Sequence, residues 1–432
     1  FKVPYFYDEM KAVIQNHKEQ HFADSFMHYS VIAAHYFALE RLNAVQTQHV
    51  TIRPVHFVED RDYTYLHKAA VYGLELFENN ETRKKEKSLF HLLNQCVTPK
   101  GSRLLRKWIQ EPLLDPQAIG KRYERVAYFV QDVALRNEVR QLLASAHDIE
   151  RPVMRLETNR YKDQELVSLL QTLETFQKAF ACITEKASFE PLVKAVATQT
   201  TKLEKVIAAC QRMIHPDSII ALGYDTRYDE IVDVKTNGLN RMEDYLTEEQ
   251  ERTGMKTMKL EQNKVLGYFF EVTKSQYDKI PEDYHVKKEL SNKKQCVTER
   301  LVQLEETYNE AVEEHGKLYR LLIGQIVSSL HAHFQSIRDI TDFIAAVDVI
   351  MAFADVSQKH SYQQPEFTDE GIFIRNGKHP LLQAYSYQPV VANHCFLLNE
   401  ATYLITGPNM GGKTVYKKMV AMLTIMAQMG CF

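Results

Sequence analysis

Residues 298–337 read TERLVQLEETYNEAVEEHGKLYRLLIGQIVSSLHAHFQSI. Within them Leu301, Leu304, Tyr308, Ala311, Leu318, Leu322, Ile326, Leu330, Phe334 and Ile337 recur at spacings of three, four or seven, the period of one helix face. The stretch sits inside a proline-free run from Glu282 to Gln364. A single helix of roughly 50 residues, about 75 Å at 1.5 Å per residue, is therefore expected. That exceeds the diameter of a compact domain, so the helix must be a lever joining distant parts. Just upstream, Val265-Leu266-Gly267-Tyr268-Phe269-Phe270-Glu271-Val272-Thr273 reads as a strand followed by a lysine-rich loop. A small β-containing insertion between long helices follows from that placement.

Further toward the N-terminus, residues 89–217 read as helical. Thr98-Pro99 supplies a capping hydroxyl and a proline at the first helical position. Leu104, Leu105, Trp108 and Ile109 then share a face, and Pro112 stops the helix. The polar run from Asn79 to Ser88 is a loop with a solvated basic cluster. Residues 1–60 differ, with one amphipathic helix from Ser25 to Asn43 and a β-like stretch from Thr51 to Phe57.

On the C-terminal side, Gly371-Ile372-Phe373-Ile374-Arg375 and Ala401-Thr402-Tyr403-Leu404-Ile405-Thr406 read as strands, and Val415 to Met429 as a helix. Between the second strand and the helix stands Gly407-Pro408-Asn409-Met410-Gly411-Gly412-Lys413-Thr414, a complete G-x-x-x-x-G-K-[ST] phosphate loop. Its glycines let backbone N–H groups turn onto a β-phosphate at the positive end of a helix. Lys413 is placed to reach the β- and γ-phosphates, and the Thr414 hydroxyl to hold Mg²⁺. Hydrolysis also needs a carboxylate on a neighbouring strand, and the 18 residues after Thr414 contain no Asp or Glu. The parent is expected to be an ATPase and this piece, read as a fragment, to be inactive.

Composition bounds the rest. With 432 residues, 45% hydrophobic and 25% charged, two to four soluble globular domains are expected. No apolar run is long enough for a membrane span. Six cysteines without a C-x-x-C pair argue against a disulfide framework or zinc site and fit the reducing cytosol. A net charge of −3 means that any DNA contact must come from local patches.

The combination of blocks resembles the MutS family of DNA mismatch-recognition ATPases. Thr406 to Thr414 is similar to the family's phosphate loop, which commonly carries Ser at the position of Thr414. Thr98-Pro99-Lys100-Gly101-Ser102-Arg103-Leu104-Leu105-Arg106 with Trp108 and Pro112 resembles its core-helix entry. Asp148-Ile149-Glu150-Arg151 and Arg155-Leu156 resemble the next helix. Glu251-Arg252-Thr253-Gly254 with Gly267 to Val272 resembles the DNA clamp, and His379-Pro380 the lead into the ATPase domain.

The resemblance implies a multidomain, mainly α chain. Residues 1–60 would end a connector domain, 61–250 and 306–355 would form the core and levers, 251–305 the clamp, and 356–432 the start of an α/β P-loop ATPase domain. It further implies ATP or ADP with Mg²⁺ as cofactors, mismatched double-stranded DNA and downstream repair proteins as partners, a homodimer, and a cytoplasmic location with the chromosomal DNA. Nucleotide would bind at Gly407 to Thr414 and Asn393. The family's adenine-stacking aromatic falls at Val390, a side chain with no ring to stack on a base, and Val415 replaces the usual Thr. Phe6-Tyr7-Asp8-Glu9 is not taken as the family's mismatch-reading wedge. Between Arg252 and Arg300 there are eleven Lys/Arg against seven Asp/Glu, which fits a DNA-facing clamp with Lys287, Lys288, Asn292, Lys293 and Lys294 on phosphates. The family usually has Arg-Arg where Val286 and Lys287 stand. The alternatives are a paralogue binding branched or intact DNA, a coiled-coil chromosome-organising ATPase, and a scaffold with a vestigial nucleotide site. Pro152, Pro191 and Pro216 interrupt the helices and weigh against the coiled coil.

Overall fold

The computed structural model describes residues 63–263 and 265–432, which fall within the compact unit Arg61–Phe432. The helix expected over Ser25–Asn43, the β-like stretch over Thr51–Phe57 and the Phe6–Glu9 motif lie outside the described residues.

Eight helices open the described chain: α1 (Lys68–Gly73), α2 (Leu89–Leu93), α3 (Pro99–Gln110), α4 (Pro116–Gln131), α5 (Val133–Leu143), α6 (Glu150–Glu157), α7 (Gln164–Lys186) and α8 (Glu190–Gln211). A short hairpin of β1 (Ile214–His215) and β2 (Ile219–Ile220) leads to the 28-residue α9 (Thr226–Thr253). Next come β3 (Lys259–Asn263), β4 (Gly267–Thr273), a 3-10 turn (Lys274–Lys279), β5 (His285–Leu290) and β6 (Lys293–Val297). Two long helices return, α10 (Glu299–Leu330) and α11 (Phe334–His360), then β7 (Gly371–Gly377), α12 (Pro380–Tyr385), β8 (Asn393–Leu398) and α13 (Lys413–Met429). The chain is thus mainly helical with small sheets.

Local sequence explains the helix starts. Thr98 caps α3, its hydroxyl accepting from Gly101 N–H at 3.0 Å, with Pro99 at the first position. Leu105 and Ile109 on that helix are fully buried, as the spacing predicts. Asp115-Pro116 and Thr298 open α4 and α10 by the same chemistry.

Apolar side chains divide into two cores. The larger joins α2 to α8, α11, the base of α10 and the distal half of α13. At its centre α11 is buried on nearly every side, which is why its apolar residues do not keep to one stripe. The smaller core packs Met242 and Tyr245 of α9 and Leu301 of α10 against Met255, Met258, Phe270, Val272, Tyr284 and Cys296. It belongs to a four-stranded antiparallel sheet in the order β3-β4-β6-β5. The paired helices α9 and α10 connect this sheet module to the larger core.

The helices of that arm approach closely. A Cβ placed on Gly238 of α9 would lie 2.6 Å from the Tyr308 ring of α10. Gly238→Ala gains roughly 1 kcal/mol of helix propensity but overpacks a contact at about 1–3 kcal/mol. A net loss of up to about 2 kcal/mol is expected, seen as a lowered melting temperature. A raised melting temperature would show that the arm tolerates separation.

The structure corrects three expectations. The continuous helix of roughly 50 residues is two helices, α10 of 32 and α11 of 27 residues, separated by a 3-10 turn over His331–His333. A 3-10 turn preserves i, i+3 apolar spacing, so periodicity does not reveal it. The break falls where the half-solvated arm becomes a helix packed all round. Second, the lysines expected in a loop stand on strands, Lys287 and Lys288 on β5 and Lys293 and Lys294 on β6. Third, Ala401–Thr406 is an extended segment with no ladder partner among the described residues, and Tyr403, Leu404 and Ile405 are exposed. Strand-forming side chains produce a strand only where a neighbour supplies the hydrogen bonds. Among the described residues, the pairing in this region is β7 with β8, antiparallel.

Candidate nucleic-acid interface and phosphate-binding loop

The sheet module is held to its arm by a polar knot centred on the buried carboxylate of Glu249. Glu249 of α9 accepts from Arg252 Nη2 at 2.7 Å and from the Tyr284 hydroxyl at 2.7 Å, while Arg252 also reaches Asp283 at 2.9 Å. Glu249 beside Arg252 holds the guanidinium well above its ordinary range, and burial with Glu249 pushes the Tyr284 hydroxyl up. Gly254 ends α9 in the left-handed conformation, φ 68°, which explains the Glu-Arg-Thr-Gly block structurally.

The expected DNA-facing residues fare differently. Lys287 and Lys288 are exposed on the edge strand β5, at a bulge between Val286 and Lys288. No ion pair engages either of them among the described residues. Lys293 instead pairs with Glu271 across the sheet at 2.6 Å, and that carboxylate raises its pKa. Lys294 pairs with Glu289 at 3.4 Å and lies over the Tyr277 ring, 4.6 Å from its centroid. Two of the four lysines are thus committed within the sheet, which a charge count does not show. Asn292 is exposed in the β5–β6 turn, its carbonyl accepting from Lys274 N–H at 3.1 Å. That bond brings exposed Lys274 beside the turn, a residue that sequence reasoning did not single out. The available signal was its place directly after β4, since Thr273 pairs with Lys293.

The glycine-rich loop is exposed from Gly407 to Gly412 and at Thr414, with Lys413 half-buried. Gly407 (φ 153°) and Gly412 (φ 81°) occupy conformations that favour glycine, and Met410 (φ 66°) adopts the left-handed one despite its side chain. Gly412 begins α13 without a side-chain cap, and the first helical bond is Tyr416 N–H to Gly412 O. The amides of Lys413, Thr414 and Val415 therefore lack helical acceptors, the arrangement that favours an anion. Lys413 Nζ folds back to donate to Gly407 O at 2.5 Å and Pro408 O at 2.7 Å. Thr414 is exposed in the first turn of α13. Asn393 is separate from this loop in the chain, and its amide donates to Val391 O at 3.1 Å. The neighbouring His394 carbonyl accepts from the Tyr416 hydroxyl of α13 at 3.0 Å, so β8 and the loop's helix are tied. Among the described residues no three His, Cys, Asp or Glu side chains cluster as a metal site, and the cysteines are free.

A helical core, a two-helix arm bearing a small sheet with Lys287 and Lys288 exposed on its edge, and a glycine-rich loop opening a helix whose distal half packs on the core make up the described chain. The family profile described as MutS domain III matches residues 69–354, and that described as MutS domain V matches 403–432. The chain belongs to the MutS family. It is 32% identical over 395 residues to the DNA mismatch repair protein MutS of Thermotoga petrophila, covering 89% of this chain and 48% of that protein. To the protein of the same name from Caldanaerobacter subterraneus subsp. tengcongensis it is 31% identical over 405 residues, 91% of this chain and 46% of that one. The corresponding figures for Borrelia turicatae are 31%, 89% and 45%. The chain therefore spans about half the length of the curated relatives it matches (48% and 46% of the first two). No helix among the described residues is long and apolar enough to cross a membrane.

Proposed function

We propose that this chain is the lever, clamp and phosphate-loop portion of an ATP-dependent DNA mismatch repair protein of the MutS type. In this reading residues 61–250 and 306–355 are core and levers, 251–305 the clamp, 356–432 the first part of the ATPase domain, and 1–60 the end of a connector. The clamp holds duplex DNA through backbone phosphates. The observation that carries the reading is the sheet module itself: it has its own core, stands at the end of paired helices, and presents Lys287 and Lys288 unpaired on an edge strand. Phosphate contacts of this kind position a protein without reading sequence. ATP or ADP would lie against the free amides at the start of α13, with Lys413 exchanging loop carbonyls for phosphate oxygens. These residues fit a phosphate group, because the amides of Lys413, Thr414 and Val415 have no helical acceptor and the Lys413 amine donates only to loop carbonyls that phosphate oxygens can replace. Mg²⁺, when bound, neutralises phosphate charge, and the Thr414 hydroxyl is its candidate ligand here. Homodimerisation, signalling to repair partners and a cytoplasmic location follow from the same reading.

Fluorescence anisotropy with a labelled perfect duplex and a G·T-mismatched duplex, across a salt series, tests it. Salt-sensitive binding is expected. Replacing Lys287 and Lys288 by alanine should reduce the slope of log K against log salt by about 0.9 per lost phosphate contact. The same change at Lys293 and Lys294 should do less, since their charge is partly neutralised in the sheet. A slope untouched by the Lys287/Lys288 change removes β5 from the interface.

A further inference from the structure

Helix α13 is anchored unevenly. From Met419 onward its apolar side chains (Met419, Met422, Ile425, Met426 and Met429) are buried. Its C-terminal carbonyls are also held, Met429 O by Arg122 Nη1 at 2.7 Å and Ala427 O by the Tyr123 hydroxyl at 2.7 Å. Upstream, the turn and a half that carries Lys413 and Thr414 buries no side chain. There one ion pair ties α13 to the helical core among the described residues: Lys418 Nζ to Glu75 Oε2, 3.1 Å, with the two side chains 23% and 14% exposed. Lys418 lies five positions beyond Lys413, about 7.5 Å along the axis.

Glu75 is itself fixed with unusual firmness. It adopts a left-handed backbone, φ 54°, a conformation that a non-glycine residue keeps only where its surroundings over-determine it. Its N–H donates to Tyr72 O at 3.0 Å, and its carbonyl accepts from Leu89 N–H at 3.0 Å. The second carboxylate oxygen accepts from Asn80 N–H at 2.8 Å and Asn79 Nδ2 at 3.2 Å. His379, 5% exposed, stands against the pair with Nδ1 unpartnered. Burial and the nearby Lys418 hold its pKa below the ordinary value, opposed by Glu75.

We infer that Glu75 is a positioning residue for the phosphate loop: through Lys418 it sets where the N-terminal half of α13, and hence Lys413 and Thr414, stands relative to the helical core. For its effect on ligand the inference rests on the reading of residues 407–414 as a nucleotide site. Glu75→Gln keeps the shape and the acceptor for Asn80 but removes the charge that holds Lys418.

Amide hydrogen exchange and fluorescent-ADP affinity should be measured on this chain with Glu75→Gln, Lys418→Gln and the two combined. Exchange at residues 413–418 is expected to quicken in Glu75→Gln. Nucleotide affinity should fall roughly fivefold to tenfold, a usual size for coupling between sites. The double variant should lose no more than either single change, because both remove the same link. A merely structural loss would instead lower the melting temperature and add across the pair. Unchanged exchange at 413–418 overturns the inference, as does faster exchange with unaltered affinity in a chain that binds ADP. Faster exchange in a chain whose parent binds no ADP removes the nucleotide reading and leaves the placement of α13 by Glu75 standing.

Discussion

Replacing Asp348 by alanine is expected to lower the unfolding free energy by about 3–5 kcal/mol, the size expected when a buried hydrogen-bond network loses its shared acceptor. Asp348 is fully buried at the centre of α11. Its carboxylate accepts from Val97 N–H at 3.1 Å, Thr98 N–H at 2.8 Å and the Thr98 hydroxyl at 2.6 Å. It thereby fixes the residue that caps α3 from a point 250 residues away in sequence. Removing it takes the acceptor from three donors, two of them on the buried Thr98, and each buried orphan costs about 1–3 kcal/mol. Gly101 shows how tightly the joint is built, because an added Cβ would lie 2.3 Å from Asp348 Oδ2. Burial pushes the Asp348 carboxyl above its ordinary value, opposed by the bonds from Thr98 and Val97. A folded-state pKa above the unfolded one means a contribution greatest below the unfolded value, about 3.9, and lost as pH rises through the folded one. The deficit of the alanine variant should accordingly shrink as pH rises across that window. Urea unfolding at two pH values measures both effects. A loss under about 1 kcal/mol would show that the α3 cap stands without its partner on α11.

The second large effect is expected at Lys413. Lys413→Ala should weaken nucleotide binding at least about 100-fold, near 2.7 kcal/mol, while leaving the melting temperature unchanged. Its amine donates only to the exposed carbonyls of Gly407 and Pro408, which water can satisfy once the side chain is gone. In a nucleotide complex the same amine would face phosphate oxygens as a point charge, among the stronger hydrogen bonds a protein makes. Lys413→Arg should not restore affinity, because a planar fork does not fit where a compact ammonium must turn inward. Titration with a fluorescent ADP analogue decides the matter. Unaltered affinity in the alanine variant would detach residues 407–414 from nucleotide.

Much of the architecture was legible in local pattern. Thr98-Pro99, the apolar face through Leu105 and Ile109, and the stop at Pro112 describe α3 closely, since capping, periodicity and proline sterics act within a few residues. Strand β4 and the helix after the phosphate loop were legible for the same reason. Less was visible where the outcome depends on partners. The break at His331–His333 keeps the helical spacing and so leaves no trace in it. Equal basic residues at Lys287 and Lys293 have unequal fates, because only strand register sets Glu271 diagonally across from Lys293, two positions along β4 from its direct partner Thr273. Lys274 entered beside Asn292 through a backbone bond that no spacing announces.

By itself the sequence determined the helical class, the phosphate-loop motif with its Lys413 and Thr414, and the family to which the chain belongs. These rest on short-range stereochemistry and on residue types at fixed spacing. Only the tertiary structure decided which lysines are free, how Asp348 holds the cap of α3, and that Glu75 grips the helix of the phosphate loop. Those outcomes join residues far apart in the chain, and their energies depend on burial and on distances of about 3 Å that exist only once the helices have packed.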